Sequence, residues 1–181
     1  MATLIHLNGP SGVGKSTLAQ RYVDDHPGVL NLEIDTVVSL IGGWRNDFFG
    51  TLSPARSIAL AMAESHLRDD GDVVMPQLVT SVTEAQRFED ASERAGAQYV
   101  EMALWVDVAE QVARFRGKAA CSEVAARIER AIDAEGGDSV LERIHEHFST
   151  YTQQRPAALL LDVSADVEES YGQLLAALAR A

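Results

Sequence analysis

Cysteine occurs once in the 181 residues, at Cys121, so no disulfide can close within the chain. A fold of this size must then rest on buried apolar surface. No basic segment leads into a long apolar run of the kind that a secretory leader or a membrane span requires. Both scarcities suit a reducing cytoplasm, which is the expected location. Basic residues are also few: 15 Lys and Arg stand against 27 Asp and Glu, a formal charge of -12. Such a surface repels nucleic-acid backbones and anionic membranes, and neither is expected as a partner. Cys121 itself reads as a helix residue of no chemical consequence, with a reactive thiol as the alternative.

What is present is enough for a core. Hydrophobic residues make up 46% of the chain, and no internal repeat, low-complexity tract or interdomain linker divides it. One domain over residues 1–181 is expected. Short β-prone runs at Thr3 to Leu7, Val29 to Ile34, Asp72 to Met75, Tyr99 to Val106 and Ala158 to Val163 read as strands. Helical patterns cover Lys15 to Asp25, Pro54 to Arg68, Thr83 to Ala95, Ala109 to Arg116, Cys121 to Ala134, Ser139 to Gln153 and Val167 to Ala179. Pro54 suits a first helical turn, Gly71 and Gly96 follow helices as stop signals, and Gly136-Gly137 separates two helices. The alternation predicts an α/β fold: a five-stranded parallel sheet with helices on both faces.

Between the first strand and first helix lies Gly9-Pro10-Ser11-Gly12-Val13-Gly14-Lys15-Ser16, which fits G-x-x-x-x-G-K-[ST]. Glycines let backbone N–H groups turn inward around phosphate oxygens, where a Cβ would obstruct the approach. The helix start adds partial positive charge, Lys15 reaches toward the β and γ phosphates, and the Ser16 hydroxyl is a Mg²⁺ ligand. ATP and Mg²⁺ are therefore the expected cofactors. Thr17 either contacts the α phosphate or extends the first turn.

After the second strand comes Asn31-Leu32-Glu33-Ile34-Asp35, where period-2 alternation would place Glu33 and Asp35 on one side of an extended chain. In this sheet the first two strands are expected to flank the ligand crevice. Asp35 is the candidate base for an acceptor hydroxyl. Glu33 is a candidate Mg²⁺ support through water, or a solvated strand-end residue. The stretch from Ile41 to Gly50 carries Trp44, Arg45 and Phe48, a candidate pocket wall whose aromatics equally suit core packing. Arg45 and Arg56 are candidate substrate contacts. The third strand ends at Gln77 rather than in an acidic residue, and an amide can orient a hydroxyl but cannot take its proton.

Arg114, Arg116 and Lys118 fall close together, with Arg127 and Arg130 on the next helix. Arginines of this kind close over a transferring phosphoryl group as part of a mobile lid, here residues 114–137, or pair with Glu123, Glu129 and Glu135 on a solvated face. Arg114 and Arg116 are the lid candidates. His145 and His147, two apart on a helix, do not form a metal pair and read as surface residues. Asp162, in Asp162-Val163-Ser164-Ala165-Asp166, begins either a loop under adenine or an ordinary capped turn.

On these residues the chain resembles the P-loop kinases of small metabolites and antibiotics, which include chloramphenicol phosphotransferase, shikimate kinase and gluconate kinase. The zeta-toxin type is related. The resemblance covers the whole chain in order and size, and the phosphate loop is its most specific part. It implies a three-layer P-loop NTPase fold with a small helical lid, Asp35 as base, and lid arginines at Arg114 and Arg116. The expected activity is transfer of the ATP γ-phosphate to a hydroxyl of a metabolite, nucleoside or antibiotic, by a monomer or homodimer. The alternatives are a nucleotide switch that hydrolyses slowly, and a resistance protein that sequesters its target without transfer.

Overall fold

Residues 1–117 and 122–181 are described by the structure, a computed structural model; Lys118 and Cys121 lie outside the described residues. Five parallel strands form one sheet of order β2-β3-β1-β4-β5. They are β1 (Thr3–Asn8), β2 (Leu30–Asn31), β3 (Val73–Pro76), β4 (Gln98–Trp105) and β5 (Leu159–Asp162). The helices are α1 (Lys15–Asp25), α2 (Ile34–Leu40), α3 (Phe48–Arg68), α4 (Val82–Ala95), α5 (Val108–Gly117), α6 (Glu123–Glu135), α7 (Asp138–Gln153) and α8 (Val167–Leu178).

Strand alternation sorts the central side chains onto two faces. Leu4 joins Val73 and Met75 on one face, beneath α2, α3, α4 and the end of α7, which contribute Val38, Ala59, Phe88 and Tyr151. Ile5 and Leu7 join Val74, Met102 and Leu104 on the other, beneath α1 and α8, through Leu18, Tyr22, Tyr171 and Leu174. Each fully buried Leu, Ile, Val or Phe side chain contributes about 1.5–3 kcal/mol, so both faces must be covered. The result is the expected three-layer sandwich.

Three local expectations are corrected. The second strand stops at Asn31, and Ile34-Asp35-Thr36-Val37-Val38 opens α2 instead of extending the sheet. Its β-branched residues favour a strand, but Ile34, Val37 and Val38 are spaced i, i+3, i+4 and bury one helical face, which wins. Glu33 is the N-cap and Asp35 lies in the first turn, so they do not share one side of an extended chain. Pro54 sits inside α3, not in its first turn. That helix begins at Phe48, behind Asp47, whose side chain accepts from the Gly50 amide at 2.9 Å. Burial of Phe48, Thr51 and Ala55 along one stripe sustains the helix through the proline. His145 is buried rather than exposed: its Nδ1 lies 2.7 Å from Gln111 Oε1, and its ring packs on Trp105.

His6, in the middle of β1, is fully buried. The Gln77 carbonyl can only accept, so Nε2, 2.9 Å away, carries the ring proton, and Nδ1 accepts from the Tyr99 hydroxyl at 2.8 Å. Burial lowers its pKa from 6.5 to about 4, against the opposing pull of Glu101. The unfolded chain takes up this proton near the ordinary value. The resulting stability is therefore complete above pH 6.5 and lost as the pH falls toward 4, a change of about 3 kcal/mol. Urea unfolding of the native protein and of His6→Gln, followed from pH 7 to pH 4, checks this. The native protein should lose more stability than the variant across that window; parallel pH profiles would refute the assignment.

Candidate active site

The chain leaves the sheet after Asn8 and enters the glycine loop. Gly12 has φ +98°, and a Cβ there would stand 2.7 Å from the Gln111 carbonyl oxygen and 3.0 Å from the Phe115 amide. Helix α5 thus presses directly on the loop, and only glycine fits between. Gly14, at φ +101°, is the N-cap of α1, with no side-chain cap and no acidic residue in the first turn. By contrast α4, α6 and α8 are capped by the side chains of Ser81, Ser122 and Asp166. The leading amides of α1, backed by the positive end of its dipole, are suited to an anion from outside.

Lys15 Nζ donates to the carbonyls of Gly9 at 2.7 Å and Pro10 at 2.8 Å, which arches its side chain over the loop. The Ser16 hydroxyl donates to Glu33 Oε1 at 2.5 Å. Gly9, Pro10 and Val13 are buried supports, while Ser11, Gly12, Gly14, Lys15, Ser16 and Thr17 line a cleft of about 900 Å³. The opposite wall comes from Glu33, Asp35, Trp44, Arg45, Phe48, Arg56 and Gln77. All of the candidate acceptor contacts therefore meet the phosphate loop across one cavity.

Trp44 and Phe48 belong to the core as well as to the wall, so both readings of these aromatics apply. Arg45 stacks over Trp44, 4.7 Å from its ring centre, and makes a two-pronged bond to Glu123 at the start of α6, Nε to Oε1 at 2.5 Å and Nη2 to Oε2 at 2.6 Å. This pairing holds the Glu123 carboxyl below its ordinary pKa and joins the cleft wall at Arg45 to α6. Arg56 is partly buried, with Nη1 3.9 Å from Glu84 and a buried Nε that has no hydrogen-bond partner among the described residues.

The two lid candidates separate. Arg114 lines the cleft, pairs with Glu110 at 2.5 Å and donates to the carbonyls of Val163 and Ser164. Arg116 lies outside the cleft lining and is held by Asp133 at 2.7 Å and Asp138 at 2.8 Å. Asp162 also stands outside that lining and accepts from the Ser164 amide at 2.9 Å, as in an ordinary turn. Sequence reasoning missed Thr36 and Ser39, which reach the cleft only because α2 is a helix, and Leu52 and Leu78. The i, i+3, i+4 spacing of Ile34, Val37 and Val38 was the available signal.

The residues present fit a nucleotide triphosphate with Mg²⁺. The loop offers uncapped amides and a lysine, and Ser16 with Glu33 supplies the hard oxygen donors this ion prefers. No cluster of three or more His, Cys, Asp or Glu suited to a metal occurs among the described residues, so such an ion would lean on phosphate oxygens and water. A Gly12→Ala substitution tests the close approach of α5. It should cost about 1–3 kcal/mol in thermal or urea unfolding, because both φ and the Gln111 carbonyl oppose a Cβ; an unchanged midpoint would contradict the packing.

The sequence profile of the AAA domain family matches residues 4–136. No curated protein matches the chain in sequence. Solved structures do match in shape. A gluconokinase from Sinorhizobium meliloti 1021 superposes with a TM-score of 0.66 at 16% identity, over 98% of this chain and 92% of that one. A tunicamycin resistance protein from Deinococcus radiodurans gives 0.61 at 12% identity, over 98% and 96%. Deoxyadenosine kinase from M. mycoides gives 0.57 at 11% identity, over 98% of each chain. At such identities the likeness is one of fold. The chain belongs to the AAA domain family, and it is built as a P-loop NTPase with the architecture of the small-molecule kinases.

Proposed function

We propose that this protein is an ATP-dependent phosphotransferase that moves the γ-phosphate to a hydroxyl of a small molecule, within one domain of residues 1–181. The observation that carries this reading is the Ser16–Glu33 hydrogen bond. It ties the phosphate loop to the turn bearing Asp35, so that nucleotide and acceptor sides share one cleft.

In this reading Lys15 and the leading amides of α1 hold the β and γ phosphates, and Ser16 with Glu33 supports Mg²⁺. When bound, Mg²⁺ neutralises charge on the phosphates during transfer. Asp35 accepts the acceptor hydroxyl proton. The Gln77 amide orients that hydroxyl, and the Arg56 guanidinium, at the cleft wall, attracts an oxygen elsewhere on the acceptor. Trp44, Phe48 and Leu52 exclude water from the cleft. Of the lid expected over residues 114–137, residues 118–121 lie outside the described residues, and α6 with the end of α5 carries the rest. Arg114 is its cleft-facing cation, Arg45–Glu123 is its tie to the acceptor wall, and Arg116 braces the lid internally. An acidic surface accords with a small-molecule substrate rather than a nucleic-acid backbone.

The test is ADP release and product mass with Mg-ATP and a panel of nucleosides, sugars, metabolites and hydroxyl-bearing antibiotics. Asp35→Asn should lower kcat by about 100-fold or more on the acceptor found, and leave ADP affinity within about twofold. Tight ATP binding with slow hydrolysis, no modified acceptor and no effect of Asp35→Asn would instead support a nucleotide switch, a reading permitted by Gln77 at the end of β3.

A further inference from the structure

The segment from Gln77 to Ser81, between β3 and α4, has no regular structure, yet Gln77 and Leu78 line the cleft. Its backbone polar groups must find partners outside a helix or strand. They find them on β1. The Gln77 amide donates to the Leu7 carbonyl at 3.1 Å, and the Gln77 carbonyl accepts from His6. Two residues on, the Val79 amide donates to Asn8 Oδ1 at 2.8 Å, and the Val79 carbonyl accepts from Asn8 Nδ2 at 3.0 Å. Asn8 grips one residue by both of its backbone groups.

That grip works in one orientation of the amide only, and Glu101 fixes it. The second Nδ2 proton of Asn8 goes to Glu101 Oε1 at 2.8 Å, and a flipped amide would face this carboxylate with its oxygen. Glu101 is in turn held by the Tyr151 hydroxyl at 2.6 Å and by Arg155 Nε at 3.0 Å, and it is 4% exposed. Burial raises the pKa of its carboxyl, and these donors together with His6 outweigh that and keep it below the ordinary value. A buried ion pair of this kind is a poor source of stability, since an apolar replacement is often neutral or better. What Glu101 supplies is an acceptor oxygen that gives the Asn8 amide its direction.

We propose that Asn8, aimed by Glu101, is a positioning residue that sets the place of Gln77 and Leu78 in the acceptor wall and so tunes acceptor binding. This rests on the phosphotransferase reading for the meaning of that wall. Asn8 touches no substrate; it acts through the backbone of Val79.

The experiment pairs hydrogen exchange with ADP binding, neither of which needs an acceptor. In Asn8→Ala the Val79 amide should exchange at least about tenfold faster, with ADP affinity within about twofold of native. Glu101→Gln, which still accepts from Asn8, should keep Val79 protected, while Glu101→Ala should not. Should Asn8→Ala fail to fold, Asn8→Ser carries the same readout, since a hydroxyl cannot span both Val79 groups. With an acceptor identified, KM for the acceptor should rise about tenfold in Asn8→Ala and KM for ATP should stay level. Unchanged Val79 exchange would overturn the proposal. So would ADP affinity falling together with protection, which would place Asn8 in the phosphate loop. If no acceptor is phosphorylated by the native protein, the phosphotransferase reading fails, and exchange and ADP binding still judge the brace.

Discussion

The cleft depends on one constraint: β1 is paired along its length on both sides, with β3 and with β4, and its chain must leave the sheet within a residue of its last pair. Leu7 lies opposite both Pro76 and Met102, and Asn8 is still paired with Ala103. A strand so held cannot shift, so the turn that follows starts from a fixed point. Gly12 then lets α5 approach from one side, and Gly14 turns the chain into α1 on the other. The loop is rigid because its neighbours are already placed, which is what recognition of a phosphate by backbone amides requires.

The wall proposed for the acceptor is built by different means. Neither α2 nor the segment after β3 belongs to the sheet; core burial of Ile34, Val37, Val38 and Val79 holds both, and a few polar contacts set their position: Glu33 to Ser16, and Gln77 and Val79 to β1. Hydrogen bonds of 2.5–3.1 Å can place a wall well, yet each is a small net stabilisation of about 1 kcal/mol. Substrate choice on this scaffold can therefore change by altering these ties while the phosphate loop stays as it is.

Much of this was legible in the sequence, and the reasons are local. The glycine loop declares itself because phosphate binding demands glycine, lysine and a hydroxyl at set spacings, and Lys15, Ser16 and the bounds of α1 follow from it. The parallel sheet follows from alternation. What was not legible depends on tertiary contact. The β-branched run at Ile34 to Val38 speaks for a strand until the core on which Ile34 and Val38 pack is known. Arg114 and Arg116 look alike in sequence, and only the positions of Asp133 and Asp138 show that the second is engaged away from the cleft. His145 looked exposed because Gln111, its partner, is 34 residues away.

A formal charge of -12 opposes the approach of a polyanion such as ATP. The difficulty is one of distance. At physiological salt exposed charges are screened over about 8 Å, so remote carboxylates matter little beside the groups that line the cleft. Of the acids that line the cleft, Glu123 is paired with Arg45, and Glu110, outside the lining, is paired with the cleft-lining Arg114. Fixed dipoles do the rest, because the uncapped amides of α1 carry partial positive charge that no distant carboxylate cancels. Arranged in this way, the net charge of the surface does not set the field inside the cleft. It leaves the loop free to act on a small anion that has come within a few ångströms.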